Sequence, residues 1–445
     1  MEIEFCAIGG YSEIGMNMCA VKVGNEVVIF DMGFYLPEVI RLQDEEIVKT
    51  NLSRNDLINL RVIPDDRVIN EWKPLVKAIV LGHCHLDHIG GVSYMADEYN
   101  CPIYGSPFTI EVLKSILKDE GIKPKNKLKI ISGNDSIKLT KSLTLEFLPI
   151  PHSTPMANIV ILHTPLGAVV YGNDFKFDNS PIMGPKTNYK RLRELGEGGV
   201  ILLVCDALYA HEEMKTPSEL IAKEMLKDVM LSTENKDNLI IVTTFASHIA
   251  RIKSAIEFGT KLNRKIIIMG RSMDRYITAA ENIGLVNFRK DAFITKYADQ
   301  VKKKLHEIQK NPSKYLIICT GHQGEPGSIL QRLATKDLPY EFSPRDQVIF
   351  SCKVIPAPIN IANRVALEAK LKQRGVRLFK EIHTSGHLAR EDHHDLINLL
   401  KPKHIIPAQG DVTKLTPLAD LAEEIGYVRN KTVHVLKDGE KIKIE

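Results

Sequence analysis

Between Val80 and Gly91 the chain reads VLGHCHLDHIGG, which crowds His83, His85, Asp87 and His88 into six residues. Imidazole nitrogens and carboxylate oxygens are ligands suited to zinc. The quartet follows the apolar run KAIVLG and opens the helical phrase DHIGGVSYMADEY. In an extended segment alternate side chains share a side, so His83 and His85 face one point. The turn into the helix can present Asp87 and His88 to a second point nearby. Cys84, between the two histidines, faces the other way and reads as packing. One loop does not complete two metal sites. His152 in PIPHSTP and Asp174 in VVYGNDFKF stand at strand ends further along and can supply more ligands. Asp31, at the end of VIFDMG, is a candidate to accept the ring N–H of a ligating histidine and fix its orientation.

Such side chains need rigid elements to hold them. The runs EVVIFDMG, KAIVLGH, LTLEFLPI, AVVYGNDF and GVILLVCD fill the first 206 residues and read as buried strands. The segment Arg41–Trp72 is longer and more polar, and reads as a surface excursion or lid. After CDALYAHEEMK the style changes. Thr216–Glu219, TPSE, reads as a capping box with Pro217 at the first helical position. Strands LIIVTTF, KIIIMG, YLIICTG and QVIFSC then alternate with helical phrases, which predicts a parallel sheet flanked by helices. The chain closes through INIANRVALEAKLKQRG, RLFKEIH, REDHHDLINLLKP and HIIPAQG.

A chain of 445 residues suggests two or three domains. Its 44% hydrophobic and 26% charged residues are ordinary for a soluble protein. No run of eighteen apolar residues occurs, and MEIEFCAIGG has no basic leader, so a cytoplasmic protein without a membrane partner is expected. The net charge of +4 tolerates a polyanionic ligand without arguing for one. Seven cysteines, an odd number with no C-x-x-C pair, read as free buried thiols. Aromatic residues, at 6%, form no prominent stacking platform, and VKKKLHEIQK reads as a solvated helix face.

The order Asp31, His83–His88, His152, Asp174 resembles the four motifs of the metallo-β-lactamase superfamily. That resemblance implies an α/β fold, an αββα sandwich. It also implies two Zn2+ ions. His83, His85 and His152 would hold one, Asp87 and His88 the other, with Asp174 bridging and a bridging water as nucleophile. Asp206 in LLVCDALYA and TSGH at Thr384–His387 resemble the first two motifs of the β-CASP group, which cleaves nucleic acids. The group inserts a parallel-sheet α/β domain between these motifs. The implied domains are 1–208, the first part of the metallo-β-lactamase domain; 209–358, the insert; and 359–445, the returning part. The phrases at Gly9–Asn17, Thr244–Ile252, Gly270–Met273, Thr320–Pro326 and His383–His387 resemble ribonuclease J in particular. The chain stops soon after the last strand, a length similar to the archaeal form. One departure stands out. The third β-CASP motif carries a zinc-ligating histidine, and IIPAQGD places Gln409 there. A carboxamide oxygen is a weaker zinc ligand than imidazole, which implies a second site that is loose, partly filled or completed by water, with Gln409 as a weak metal ligand or a water-positioning residue. His404 and Asp411 fall outside the motif register.

Phosphodiester hydrolysis needs a nucleophile, charge neutralisation and a protonated leaving group. Asp87, His387 and Asp206 are the candidate catalytic residues, with His387 as acid or phosphate stabiliser and Asp206 setting its protonation state. Ser247, His248, Arg271, Ser272, Ser385 and Gly386 are candidates for binding an RNA 5′-phosphate. Ser247 is expected to begin a helix, where backbone N–H groups favour anions. Arg271 suits a bidentate phosphate contact. Mid-helix Arg251 reads equally as a phosphate contact or a solvated position. The resemblance implies a zinc-dependent ribonuclease acting on single-stranded RNA in decay or maturation, as a 5′-to-3′ exonuclease preferring a 5′-monophosphate. The alternatives are an endoribonuclease of the polyadenylation-factor type, an RNA-binding protein with impaired catalysis, and a hydrolase of small esters or lactams. The inserted domain and TSGH argue against the last. The family often forms homodimers, though no seam is legible here.

Overall fold

Apolar runs in the first half of the chain become strands that are buried on both faces. The computed structural model describes residues 1–44 and 51–445, in two units: 1–216 with 386–445, and 217–385. The first unit begins with β1 (Ile3–Gly9), β2 (Met18–Val23), β3 (Glu26–Phe30), β4 (Val76–Val80), β5 (Ile103–Gly105) and β6 (Leu128–Ile130). It continues with β7 (Ser136–Lys138), β8 (Thr144–Pro149), β9 (Asn158–Thr164), β10 (Gly167–Gly172) and β11 (Val200–Asp206). The second unit holds β12 (Ile240–Thr243), β13 (Lys265–Met269), β14 (Ala292–Thr295), β15 (Tyr315–Cys319), β16 (Gln347–Phe350) and β17 (Arg377–Phe379). The chain then returns to the first unit with β18 (His404–Ala408) and β19 (Lys441–Ile444).

Two sheets make up the first unit, ordered β19-β1-β2-β3-β4-β5-β6 and β18-β11-β10-β9-β8-β7. Phe5, Val21, Phe30 and Val80 of one sheet meet Phe147, Val160, Leu162 and Val204 of the other in a shared core. The alternate residues Ile159, Ile161, Val170 and Leu203 turn to the opposite face. There they bury Leu192, Leu396, Leu400 and Leu415 of helices Tyr189–Gly198, Arg390–Leu400 and Val412–Glu424. A sheet covered on both faces needs apolar residues at successive positions, which is why these strands read as continuous apolar runs. This is the αββα sandwich that the resemblance implies.

Strands β8, β10, β11 and β18 run in one direction, since β9 pairs antiparallel with both β8 and β10 while β10–β11 and β11–β18 pair parallel. Their carboxyl ends therefore share one edge. In α/β sheets that edge is where ligands bind.

In the second unit the sheet order is β14-β13-β15-β12-β16-β17, and each pairing is parallel. This is the expected inserted α/β domain, but its limits differ from the expected 209 and 358. Tyr209 bridges to Ala389, and the Thr216 N–H donates to Asp392, so 209–216 stay with the first unit. At the far end β17 pairs with β16, and helix Pro358–Gln373 packs Leu367 and Leu371 into the second unit's core. The chain returns at Gly386, not at 359. The helix near 217 also starts late. Ser218, not Thr216, is its N-cap, accepting from the Leu220 N–H, and Thr216 donates to the His387 carbonyl instead.

The expected excursion at 41–72 is a packed segment where it is described; residues 45–50 lie outside the described residues. Ser53 and Asp56 form a capping box for helix Arg54–Asn59. Leu57, Val62, Ile63, Ile69 and Trp72 are buried. Asp66 is buried too, accepting from the Tyr99 hydroxyl at 2.5 Å and from Arg54. The segment's polarity is thus partly internal. All seven cysteines are free and buried. Among the described residues no helix is long and apolar enough to cross a membrane.

Candidate metal centre

Six strands, β3, β4, β8, β10, β11 and β18, each deliver a chemically active side chain at or just past the carboxyl end. Asp31 follows β3, His83 and His85 follow β4, His152 follows β8, Asp174 follows β10, and Gln409 follows β18, while Asp206 is the last residue of β11. Three of these residues, Asp31, Asp174 and Gln409, have left-handed backbones, with φ of 59°, 61° and 70°. A non-glycine residue there costs on the order of 1–3 kcal/mol, and such positions concentrate at functional sites. Past β4 the chain makes one helical turn, Leu86–Ile89. Gly33 allows that turn to seat, because a Cβ on it would lie 1.7 Å from the Asp87 carbonyl oxygen.

His83, His85, His152 and Asp174 form one group, and Asp87, His88 and Asp174 another; within each, one ligand atom per residue lies within 4.8 Å of the others. In the first, His85 Nδ1 is 3.0 Å from His83 Nε2 and 3.3 Å from His152 Nε2. Asp174 Oδ2 lies 3.8 Å from His83 Nε2 and 4.0 Å from His152 Nε2. In the second, His88 Nε2 is 3.2 Å from Asp174 Oδ2 and 3.6 Å from Asp87 Oδ2. Asp174 belongs to both, and a third group joins it to Asp206 and His387. Cys84 points away and meets the Thr154 hydroxyl at 3.0 Å.

The ring orientations are fixed from behind. His88 donates Nδ1–H to Asp31 Oδ2 at 2.8 Å, which leaves Nε2 toward the ligand group. His152 donates Nδ1–H to the Gly386 carbonyl at 2.8 Å, with the same consequence. Asp31 is completed by the Tyr171 hydroxyl at 2.7 Å and the Gly82 N–H at 2.9 Å. Beside both groups, His387 donates Nδ1–H to Asp206 Oδ2 at 2.7 Å.

The electrostatics suit a cation. Burial, then the neighbouring imidazoles, hold His83 well below the ordinary histidine range. His152 is lowered well below it for the same reasons, and His85 to about 4, chiefly by burial. Neutral rings of this kind are what a metal takes. Around His88 the balance reverses: burial opposes its charge, but Asp174, Asp87 and Asp31 outweigh burial and hold it well above the ordinary range. Burial also raises Asp174. Carboxylates are enclosed with imidazole donors, and the donor set fits a divalent ion in both groups.

Gly386 lies with this cluster, whereas Ser247, His248, Arg271, Ser272 and Ser385 belong to the second unit. Ser247 does not begin its helix. His248 is the N-cap of helix Ile249–Lys261, and its ring accepts from the Arg251 N–H. Arg251 is fully buried rather than solvated. It pairs with both Glu219 oxygens at 2.7 and 2.8 Å and donates to Ser351 and to the Ile382 carbonyl. Arg271, exposed, and Ser272 open helix Arg271–Asn282 after Gly270, whose φ is 118°. His404 stacks on His434 and Asp411 caps helix Val412–Glu424, so neither joins the metal groups. Three supporting residues went unnoticed in the sequence. Tyr171 holds Asp31, Asn17 Nδ2 lies 3.1 Å from His88 Nε2, and Asn173 donates to Asn17 Oδ1 at 3.0 Å. Tyr171 and Asn173 neighbour the strand-end Asp174, and Asn17 closes the phrase Gly9–Asn17, which is the only signal they gave.

Three protein-family models match the chain. They are the ribonuclease J beta-CASP domain over residues 237–367, the beta-lactamase superfamily domain over 64–228, and the Zn-dependent metallo-hydrolase RNA specificity domain over 376–436. Ribonuclease J of Methanocaldococcus jannaschii is 45% identical over 447 residues, covering 100% of this chain and 99% of its own. Ribonuclease J of Pyrococcus abyssi is 45% identical over 444 residues, covering 99% and 97%. A crystal structure of a protein of unknown function from Enterococcus faecalis V583 aligns over 100% of both chains with a TM-score of 0.67 at 16% identity, a likeness of fold alone.

Proposed function

The chain belongs to the ribonuclease J family, and we propose that it shortens single-stranded RNA from a 5′-monophosphate end in the 5′-to-3′ direction. It is a metal-dependent ribonuclease with a β-CASP insert. The observation that carries the reading is the sharing of Asp174 between two ligand groups, with the His387–Asp206 pair alongside. Zinc is the ion proposed, with His83, His85, His152 and Asp174 holding one and Asp87, His88 and Asp174 the other. Bound there, the ions supply charge neutralisation on the scissile phosphate and activation of water.

The chain's own residues do the rest. Asp31 and the Gly386 carbonyl keep His88 and His152 in the tautomer with Nε2 available. Asp206 anchors the His387 ring through Nδ1, so Nε2 is the atom that passes a proton to the leaving oxygen. Burial works against the charge on His387, but Asp206, and Asp174 beside it, outweigh burial and raise the ring. Support for a 5′-phosphate site comes from Arg271 and Ser272 at a helix N-terminus, where N–H groups and the guanidinium both favour a phosphate. Gly386 directly precedes His387 in the chain, so a phosphate contact at its backbone would be tied to the proton donor.

The test is a 3′-labelled single-stranded RNA with either a 5′-monophosphate or a 5′-hydroxyl end. Progressive shortening of the monophosphate RNA alone is expected. Internal cuts that ignore the 5′ group would replace this reading with the endonuclease one.

A further inference from the structure

Gln409 sits past the end of β18 and is 1% exposed, at the centre of the ligand cluster. Its side-chain oxygen accepts from the Gly15 N–H at 3.0 Å. Its Nε2 donates to Asp174 Oδ1 at 3.0 Å and to Asp87 Oδ2 at 3.3 Å. The orientation of the amide follows from its partners. A backbone N–H can only donate and a carboxylate can only accept. A flipped amide would set NH2 against N–H and its oxygen against two carboxylates. Both amide hydrogens and the oxygen are therefore in use.

The residue that receives the oxygen is itself fixed. Gly15 lies in the loop from Gly10 to Met16, with φ of 95°. Gly10 donates its N–H to Glu13 at 3.0 Å, and its carbonyl accepts from the Gln409 N–H at 2.8 Å and the Gly410 N–H at 3.1 Å. At the other end the Met16 N–H donates to the Phe34 carbonyl and the Asn17 N–H to the Asp87 carbonyl, each at 2.9 Å. The loop thus clamps backbone and side chain of Gln409 together.

From this geometry we infer that Gln409 serves the metal centre as a hydrogen-bond donor to two ligand carboxylates and not as a ligand, so that the second ion rests on Asp87, His88 and Asp174 alone and is the exchangeable one. The inference rests on the two-ion reading above. The first ion has four protein donors, three of them imidazoles, while the second has three. The second must also share its two carboxylates with the Gln409 N–H groups, which already offset part of their charge. The site is therefore stable with one ion and gains the second only at higher free metal.

The test is a Zn2+ titration of the full chain against a competing chelator, with bound metal read by elemental analysis. One ion is expected to survive dialysis and the other to be lost, with affinities at least roughly tenfold apart. The Gln409→Leu variant separates donor from ligand. Removing a ligand weakens the second ion, whereas removing a competing donor leaves its affinity equal or higher, which is the result expected here. A tight first ion in the variant reports that it is folded. If it does not fold, Gln409→His decides: retention of both ions under the same dialysis is expected, and a second ion as labile as in the natural chain overturns the inference. Two equally tight ions in the natural chain, or a second ion weakened in Gln409→Leu, would overturn it as well. None of these readings involves RNA. A protein with one tight and one labile ion that does not shorten 5′-monophosphate RNA would sink the exonuclease proposal and leave this inference standing.

Discussion

His387 and Asp206 are joined by a 2.7 Å hydrogen bond from ring Nδ1–H to carboxylate, and Asp206 in turn accepts from the Leu208 N–H at 2.8 Å. The carboxylate is therefore pinned to its own chain and sets the ring angle. Replacing His387 by Ala is expected to lower the single-turnover rate of RNA cleavage by about 10²–10⁴-fold, the usual weight of a general acid. Metal content should not change. Loss of metal together with activity would show that the ring holds an ion rather than a proton.

Among the described residues Asp31 hydrogen-bonds one candidate ion ligand, His88, and it also holds Tyr171 and Gly82. Asp31→Asn is expected to weaken metal binding by roughly 10–100-fold, because the ring it orients becomes free to turn or changes tautomer. Tyr171→Phe removes one of its three partners and should cost about 1 kcal/mol in denaturant unfolding with metal binding little altered. Equal metal loss in both variants would contradict the assigned roles.

In the second unit, Arg251→Ala removes the guanidinium from both oxygens of buried Glu219, which keeps only weaker contacts with Thr384 and His248 among those described. About 3–5 kcal/mol of stability should be lost. The double change Arg251→Met with Glu219→Leu should recover much of that, since an apolar pair removes both desolvated charges. Urea unfolding of the three proteins checks it. A double variant as unstable as the single one would mean that the Ser351 and Ile382 contacts, not the ion pair, carry the stability.

Glu146 gives a pH prediction. Burial works to raise its carboxyl, but hydrogen bonds from His163 and Arg191 outweigh burial and lower it to about 2. A depressed carboxylate stabilises the fold above its unfolded value, near 4.3, and loses that contribution as pH falls toward the folded value. The stability difference between the natural chain and Glu146→Gln should thus be full at pH 6 and reduced at pH 3. Denaturant midpoints at the two values read it out, and a constant difference would exclude the linkage.

How much of this was legible in the sequence follows from what each feature depends on. Strand positions and the sharing of a face by His83 and His85 depend on local alternation, and the structure has both. The inserted parallel sheet also showed itself through its strand–helix rhythm. The limits of the insert did not, because β17 joins its sheet by pairing with β16 and no local composition marks that. Burial of Arg251 was hidden because its partner Glu219 lies on another helix. The segment 51–72 was misread because its polar residues bond inward, as Asp66 does to Tyr99. Gln409 was visible as a departure from pattern, but only three dimensions show the Gly15 N–H that takes its oxygen.

The most direct test of the account removes the metal and restores it. Protein stripped by chelation should fail to cleave single-stranded RNA and regain cleavage when Zn2+ is returned. His85→Ala, which lacks one donor of the tighter group, should stay inactive at the same Zn2+ concentration. Cleavage that persists in the stripped protein or in His85→Ala would contradict a centre built on His83, His85, His152 and Asp174.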